Sequence, residues 1–205
     1  MNIAIFGATG RTGRHLVDQA LAAGHRVTAL VRTPASLPLA HDRLRIVPGD
    51  VRDPATVAGV IAGQDVVLSA LGPNQHGTVS LCGDAMAAIL PAMAAHGVRR
   101  LIALSAYGAA DSHDRNLYNR MLWLMQKEKM VDKEHMEARI RQSDVDWTIV
   151  RPAALSNGSH TGHYRLGTDL RITITSRISR ADLADGMLWQ IADATYVRQA
   201  PVIAT

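Results

Sequence analysis

The sequence predicts an α/β fold, a doubly wound parallel sheet in a single domain spanning residues 1–205. Short apolar, partly β-branched runs alternate with helical patterns along the chain, and such alternation buries a parallel sheet between helix layers. A glycine-rich turn joins the first apolar run directly to the first helical pattern. A length of 205 residues suits one domain with a substantial core.

The expected strands are Ile3–Phe6, Val27–Val31, Leu44–Val47, Asp65–Leu71, Leu101–Ser105 and Trp147–Arg151. Their near-continuous hydrophobicity fits strands covered on both faces. Helical patterns occupy Thr12–Ala23, Pro54–Ala62, Val79–His96 and Asn116–Gln142. Gly24, Gly63 and Gly97 each follow a helical stretch, where a C-terminal cap glycine belongs. Asp53-Pro54 and Arg180-Ala181-Asp182 read as helix starts. In the last third, Arg171–Ser176 alternates as a strand, Ala181–Ala192 reads as a helix, and Pro201–Ile203 as a short final strand. The segment Asn157–Asp169, rich in Gly, His, Ser and Thr, is expected to be a loop over the ligand site.

Composition narrows the function. Hydrophobic residues make up 47% and charged residues 20% of the chain, as in ordinary globular proteins. The net charge is +4 and the isoelectric point about 9.6. The arginines are scattered, with no block of like charge, so the expectation is a basic surface with a few phosphate contacts rather than nucleic-acid binding. The single cysteine, Cys82, excludes an intramolecular disulfide and suits a reducing cytoplasm. No signal peptide or membrane segment is expected, because the opening has no basic stretch and no apolar run approaches ~20 residues. His160 and His163 lack a carboxylate or cysteine set nearby, so no metal is expected. Hydrolase and nucleotide-triphosphatase loops are absent from the sequence.

The turn Gly7-Ala8-Thr9-Gly10-Arg11-Thr12-Gly13 carries the main functional signal. Of its glycines, one makes the tight turn, one admits a pyrophosphate against the backbone, and one lets helix and strand pack closely. The helix N-terminus supplies N–H groups and a positive dipole end for phosphate. This is the arrangement of a Rossmann-type dinucleotide site. The second strand ends in Arg32 rather than the acidic residue that NAD sites place against the ribose hydroxyl. Arg32 either takes the 2′-phosphate of NADP(H), with Arg11 as a second contact, or is a surface arginine. Asp50, beside Val51 after the third strand, either reaches the adenine or caps a turn before Pro54. The run Met121–Met125 reads as packing, with a flexible apolar wall for a planar acceptor as the alternative.

Several stretches together resemble a known group: Gly7–Gly13, Leu30-Val31-Arg32, Gly49-Asp50-Val51, Gly63-Gln64-Asp65-Val66, Ala95-His96-Gly97-Val98, and Ser176-Arg177-Ile178-Ser179-Arg180-Ala181-Asp182-Leu183. They resemble the atypical short-chain dehydrogenases of the NAD(P)H-binding, NmrA-like kind, and most closely the flavin reductase/biliverdin reductase B family. The resemblance implies a Rossmann fold, NADPH, and hydride transfer to flavins, quinones or linear tetrapyrroles. Ser105 matches the family serine at the end of the fifth strand; the resemblance implies that it holds nicotinamide or acceptor, and a serine that satisfies the strand end is the alternative. Lys133 matches the lysine of Tyr-x-x-x-Lys, but Lys129 stands where the tyrosine would be. Tyr107 and Tyr118 are the substitutes at hand. Arg151-Pro152 matches residues that shape the nicotinamide pocket, whereas Ala154 replaces the histidine of the biliverdin reductase pattern. The expected cofactor contacts are therefore Gly7, Thr9, Gly10, Arg11, Thr12 and Gly13; Arg32, Asp50 and Val51; Leu71 and Gly72; and Arg151 and Pro152. Ser105 and Lys133 are the catalytic candidates, with solvent as a proton source.

The expectation is an NADPH-dependent reductase of a flavin, quinone or related small-molecule acceptor. A non-catalytic NADP(H)-binding regulator is the rival, favoured by the missing tyrosine and histidine. A sugar-nucleotide isomerase fits less well, because the chain lacks a substrate domain of the usual size.

Overall fold

Alternation along the first strand sets the architecture. Ile3 and Ile5 point to one face of the sheet, Ala4 and Phe6 to the other, and all four are fully buried. A strand buried on both faces must be covered by helices on both. The computed structural model describes residues 1–72, 80–113 and 117–205. Its elements run β1 (Asn2–Phe6), α1 (Arg11–Ala22), β2 (Arg26–Val31), β3 (Leu44–Pro48), α2 (Pro54–Ile61), β4 (Val66–Ser69), α3 (Leu81–Ala95) and β5 (Arg100–Leu104). They continue with α4 (Leu117–Arg141), β6 (Asp146–Pro152), β7 (Ala154–Ser156), β8 (Arg165–Gly167), β9 (Arg177–Ser179), α5 (Arg180–Trp189) and β10 (Val202–Ala204).

The eight-stranded sheet has the order β3-β2-β1-β4-β5-β6-β10-β8. All its pairings are parallel except that of β8 with β10. Helices α1 and α5 cover the face of Ile3 and Ile5, while α2, α3 and α4 cover the opposite face. The chain winds outward from β1 to β3, then crosses back to β4 and winds the other way. The reversal opens a crevice between the carboxyl ends of β1 and β4, the point where such sheets bind ligands.

Local chemistry sets the helix ends. Asp53 caps α2, accepting from the N–H groups of Ala55 and Thr56. Ser179 caps α5 by accepting from the Asp182 N–H. The N-terminus of α3 is capped from another helix: the buried Asp132 of α4 accepts from the Cys82 and Gly83 N–H groups at 2.9–3.0 Å. The expected cap glycines Gly24, Gly63 and Gly97 all have positive φ, which glycine adopts without penalty.

The structure departs from the sequence reading in four places. Residues 171–176 form no strand; Ile172 is buried and Ile174 exposed, and the Thr173 N–H and hydroxyl bond Ser176 across a turn. The expected loop 157–169 contains β8, which pairs with β10. Strands β7 and β9, which form a separate two-stranded parallel sheet, were not anticipated. The long helix α4 is interrupted at Gln126, with φ −137° and ψ 29°. Of the expected helix starts, Val79 and Asn116 lie outside the described residues. No helix among the described residues is long and apolar enough to cross a membrane.

Helix α1 depends on a missing side chain. A Cβ at Gly13 would lie 2.0 Å from the Gly7 carbonyl oxygen, an approach that only backbone movement relieves. Gly13→Ala is expected to destabilise the fold by about 1–3 kcal/mol, read as a lower urea midpoint, and to weaken dinucleotide binding in calorimetry by displacing the start of α1.

Candidate functional site

A cleft of about 1210 Å³ opens at the carboxyl edge of the sheet, running from the ends of β2 and β3 across β1 and β4 to β5 and β6. Its floor begins at the glycine turn. Gly7 has φ +83°, and a Cβ there would come within 2.7 Å of the Ala70 carbonyl carbon. Gly10 is the N-cap of α1, and no side chain among the described residues caps this helix. The first N–H groups of α1 therefore face a cradle that a side chain would fill, with Thr9, Arg11 and Thr12 on its rim. These features fit a pyrophosphate-bearing dinucleotide. Gly13 is not on the cleft surface; its contribution is the close packing described above.

At the β2 end, exposed Arg32 faces both the cleft and an adjoining hollow of about 330 Å³ walled by Thr9, Thr33 and Ser36. The Arg14 guanidinium donates to the Ser36 carbonyl at 2.7 Å and to the Thr9 carbonyl at 3.3 Å, tying this turn to the glycine loop. Asp50 and Val51 line the same end. The Asp50 carboxylate accepts from the Arg52 N–H at 2.8 Å, so it shapes a turn and faces the cleft at once. Leu71 and Gly72 line the middle, and Pro152 the far side.

Ser105 and Lys133 meet beyond β4. The Lys133 ammonium donates to the carbonyl oxygens of Leu71 at 2.8 Å and Leu104 at 2.6 Å, clamping the ends of β4 and β5 while its remaining donor faces the cleft. Ser105 Oγ donates to Glu137 Oε1 at 2.6 Å. Glu137 is fully buried and accepts from Arg151 Nε at 3.1 Å and Nη2 at 2.5 Å. Arg151 is therefore behind the wall and not on it, which corrects its expected cofactor contact. Burial pulls its guanidinium down, but Glu137 and Asp111 outweigh this and hold it above the ordinary arginine range. Asp111, exposed at the surface, closes the network by accepting from both Arg151 and Arg141.

The remaining wall is apolar. Tyr118, Met121, Leu122 and Met125 of α4 line it together with Leu155 and Ile174. Part of the methionine run is thus cleft wall rather than core, although Trp123 stacks on His113 at 4.3 Å. Tyr118 lines the cleft and burial pushes its phenol above the ordinary range; Tyr107, 5.8 Å from it between ring centroids, is buried behind. Ala154 lines the acceptor end. Burial pushes the Cys82 thiol up to about 11, so no thiolate nucleophile is offered.

Residues 7–194 match the family described as NAD(P)H-binding. The chain belongs to the NAD(P)H-binding family. This NAD(P)H-binding protein is 30% identical to a Burkholderia pseudomallei protein designated as exported, with a TM-score of 0.80 and all of both chains covered. It superposes on a short-chain dehydrogenase/reductase from Veillonella parvula, solved in complex with NADP, with TM-score 0.84 and 20% identity over 100% of this chain and 94% of that one. The anaerobilin reductase ChuY of Escherichia coli O157:H7 gives TM-score 0.83 and 21% identity over 99% and 96%. The last two likenesses show a shared fold.

In this NAD(P)H-binding protein the loop 157–164 does not cover the cleft, contrary to expectation; it packs on α5 instead. Buried Asp182 accepts from the Thr161 and Gly162 N–H groups at 2.7 and 2.9 Å and from the Ser179 and Thr161 hydroxyls. Burial raises this carboxyl, but those hydrogen bonds outweigh it and hold it below the ordinary aspartate range. Such a group stabilises the fold fully above its unfolded value of about 3.9 and loses that contribution as pH falls through the lower folded value. Asp182→Asn is therefore expected to cost about 1–2 kcal/mol near pH 6, with the difference from the parent shrinking below about pH 4 in urea unfolding. A difference that stays constant or grows as pH falls below about 4 would contradict it.

Proposed function

We propose that this protein is an NADPH-dependent reductase that passes hydride to a flavin, quinone or similar conjugated acceptor. One observation supports the reading above others: a single cleft joins a cationic glycine-loop end to Ser105 and then to an apolar wall. Its volume exceeds the ~300–1,000 Å³ typical of single-ligand pockets, as two ligands held together require. A bound nicotinamide supplies the hydride; the chain binds, orients and excludes water.

The residues divide the work. The glycine turn and α1 take the pyrophosphate. Arg32, with Thr33 and Ser36 around the adjoining hollow, takes the 2′-phosphate, and this favours NADPH over NADH. Met121, Met125, Leu155 and Ile174 cover a planar acceptor, so the acceptor half comes from residues between 105 and 180. Methionine side chains adapt to flat, irregular ligands. No dehydrogenase tyrosine precedes Lys133 at the four-residue spacing, and Ser105 spends its proton on Glu137. The proton therefore comes from solvent or from Tyr118, which suits flavins and quinones, whose reduced heteroatoms take up protons from water. Ala154, in place of a histidine, makes a linear tetrapyrrole the poorer acceptor.

Two measurements test this. Arg32→Glu removes a charge-assisted contact worth ~1.5–3 kcal/mol, so NADPH affinity should fall roughly ten- to a hundredfold while NADH changes little; equal parent affinities for the two cofactors would contradict the preference. NADPH oxidation is then followed against flavins, quinones, dyes and biliverdin. Turnover is expected with flavins or quinones, at rates above that with biliverdin. Tight NADPH binding with no turnover across the panel would replace the reductase by a dinucleotide-sensing regulator.

A further inference from the structure

The buried carboxylate of Glu137 has no place in the sequence reading, and it accepts from Ser105, whose residue lines the cleft. Ser105 has a single proton. It is directed inward, to Glu137 Oε1 at 2.6 Å. Glu137 is not free to turn away, because Arg151 holds both of its oxygens and Asp111 holds Arg151 from the other side. A carboxylate offers only lone pairs, so the hydrogen bond between the two oxygens has one polarity. What Ser105 presents to the cleft is a pair of acceptor sites.

We propose that Glu137 is a positioning residue that fixes Ser105 as a hydrogen-bond acceptor, and that Ser105 thereby reads the amide N–H of the nicotinamide carboxamide. Ser105 follows the last residue of β5 at the carboxyl edge of the sheet, on the cleft that begins at the glycine turn. Its neighbour Lys133 presents a donor to the same space. A carboxamide has both an acceptor oxygen and donor N–H groups, so it can satisfy this pair of opposite polarities, Lys133 through its C=O and Ser105 through its N–H. A group carrying only a carbonyl satisfies Lys133 and leaves Ser105 without a partner. The same polarity bars Ser105 from giving a proton to the acceptor. The inference rests on the dinucleotide reading of the cleft but not on turnover.

The probe is 3-acetylpyridine adenine dinucleotide phosphate, in which a methyl replaces the amide nitrogen and the carbonyl remains. Calorimetric titration of the parent protein should show NADP+ binding about tenfold more tightly than the analogue, the loss of one hydrogen bond. A serine free to donate would satisfy the carbonyl of either ligand and give equal binding. Ser105→Ala should bring the ratio towards one. Glu137→Gln should do the same, since an amide nitrogen can donate to Ser105 Oγ and turn its proton to the cleft. Removing one member of a buried ion pair strands the other, so Glu137→Gln/Arg151→Met is titrated beside the single variant, with thermal unfolding of each as a check on folding. A merely structural role for Glu137 would weaken both ligands equally and leave the ratio unchanged. Equal affinity of the parent for the two ligands overturns the proposal, as does a folded Glu137 variant that discriminates like the parent. Failure of both ligands to bind at all would instead overturn the dinucleotide reading itself.

Discussion

The close approach of helix α1 to the end of β1 is the constraint on which the rest of the site depends. A methyl at Gly13 would lie 2.0 Å from the Gly7 carbonyl oxygen, and one at Gly7 would press on the Ala70 backbone at 2.7 Å. With hydrogen at both positions, β1, β4 and α1 converge, and the uncapped N-terminus of α1 is aimed along the carboxyl edge of the sheet. Phosphate binding then needs no charged side chain at the turn itself, because the backbone supplies the donors. The arginines around it, Arg11 and Arg32, add positive charge to a cleft whose geometry the glycines have set.

A second convergence holds the far half of the cleft. Helix α4 contributes three buried charged groups in succession: Asp132 to the start of α3, Lys133 to the ends of β4 and β5, and Glu137 to Ser105 and Arg151. Each is matched by a backbone group or a counter-charge, as burial demands. The consequence is that the catalytic candidates sit on a rigid frame while the opposite, apolar wall is built from the half of α4 that precedes the interruption at Gln126. A polar floor and an apolar wall are the two sides that the proposed pairing of cofactor and conjugated acceptor needs.

Much of this was legible in the chain. The strands β1, β2, β4, β5 and β6 are nearly uniform in hydrophobicity, and burial on both faces has no other simple signature. The glycine turn and Arg32 could be placed because their positions follow from local chemistry. What escaped was non-local. Lys133, Glu137 and Arg141 lie at i, i+4 spacing, and of the three the sequence singled out Lys133 alone; only the folded chain shows Glu137 buried against Arg151 and Ser105. Arg151 follows a run of strand residues and looks like a cleft residue, but its direction depends on that carboxylate. Residues 171–176 alternate like a strand yet find no neighbouring strand to pair with, whereas Arg165–Gly167 is too short to show a pattern and pairs because β10 offers an edge. The loop 157–164 was drawn to the cleft by composition and is held away from it by Asp182.

The central claim is that one dinucleotide lies along this cleft from Arg32 to Ser105, and a crystal structure of the protein with NADP+ tests it most directly. The account predicts the pyrophosphate against the first N–H groups of α1, the 2′-phosphate beside Arg32 in the hollow walled by Thr9, Thr33 and Ser36, and the nicotinamide carboxamide between Lys133 and Ser105. A dinucleotide bound with its phosphates away from the glycine turn, or with its nicotinamide end at Arg32, would contradict it.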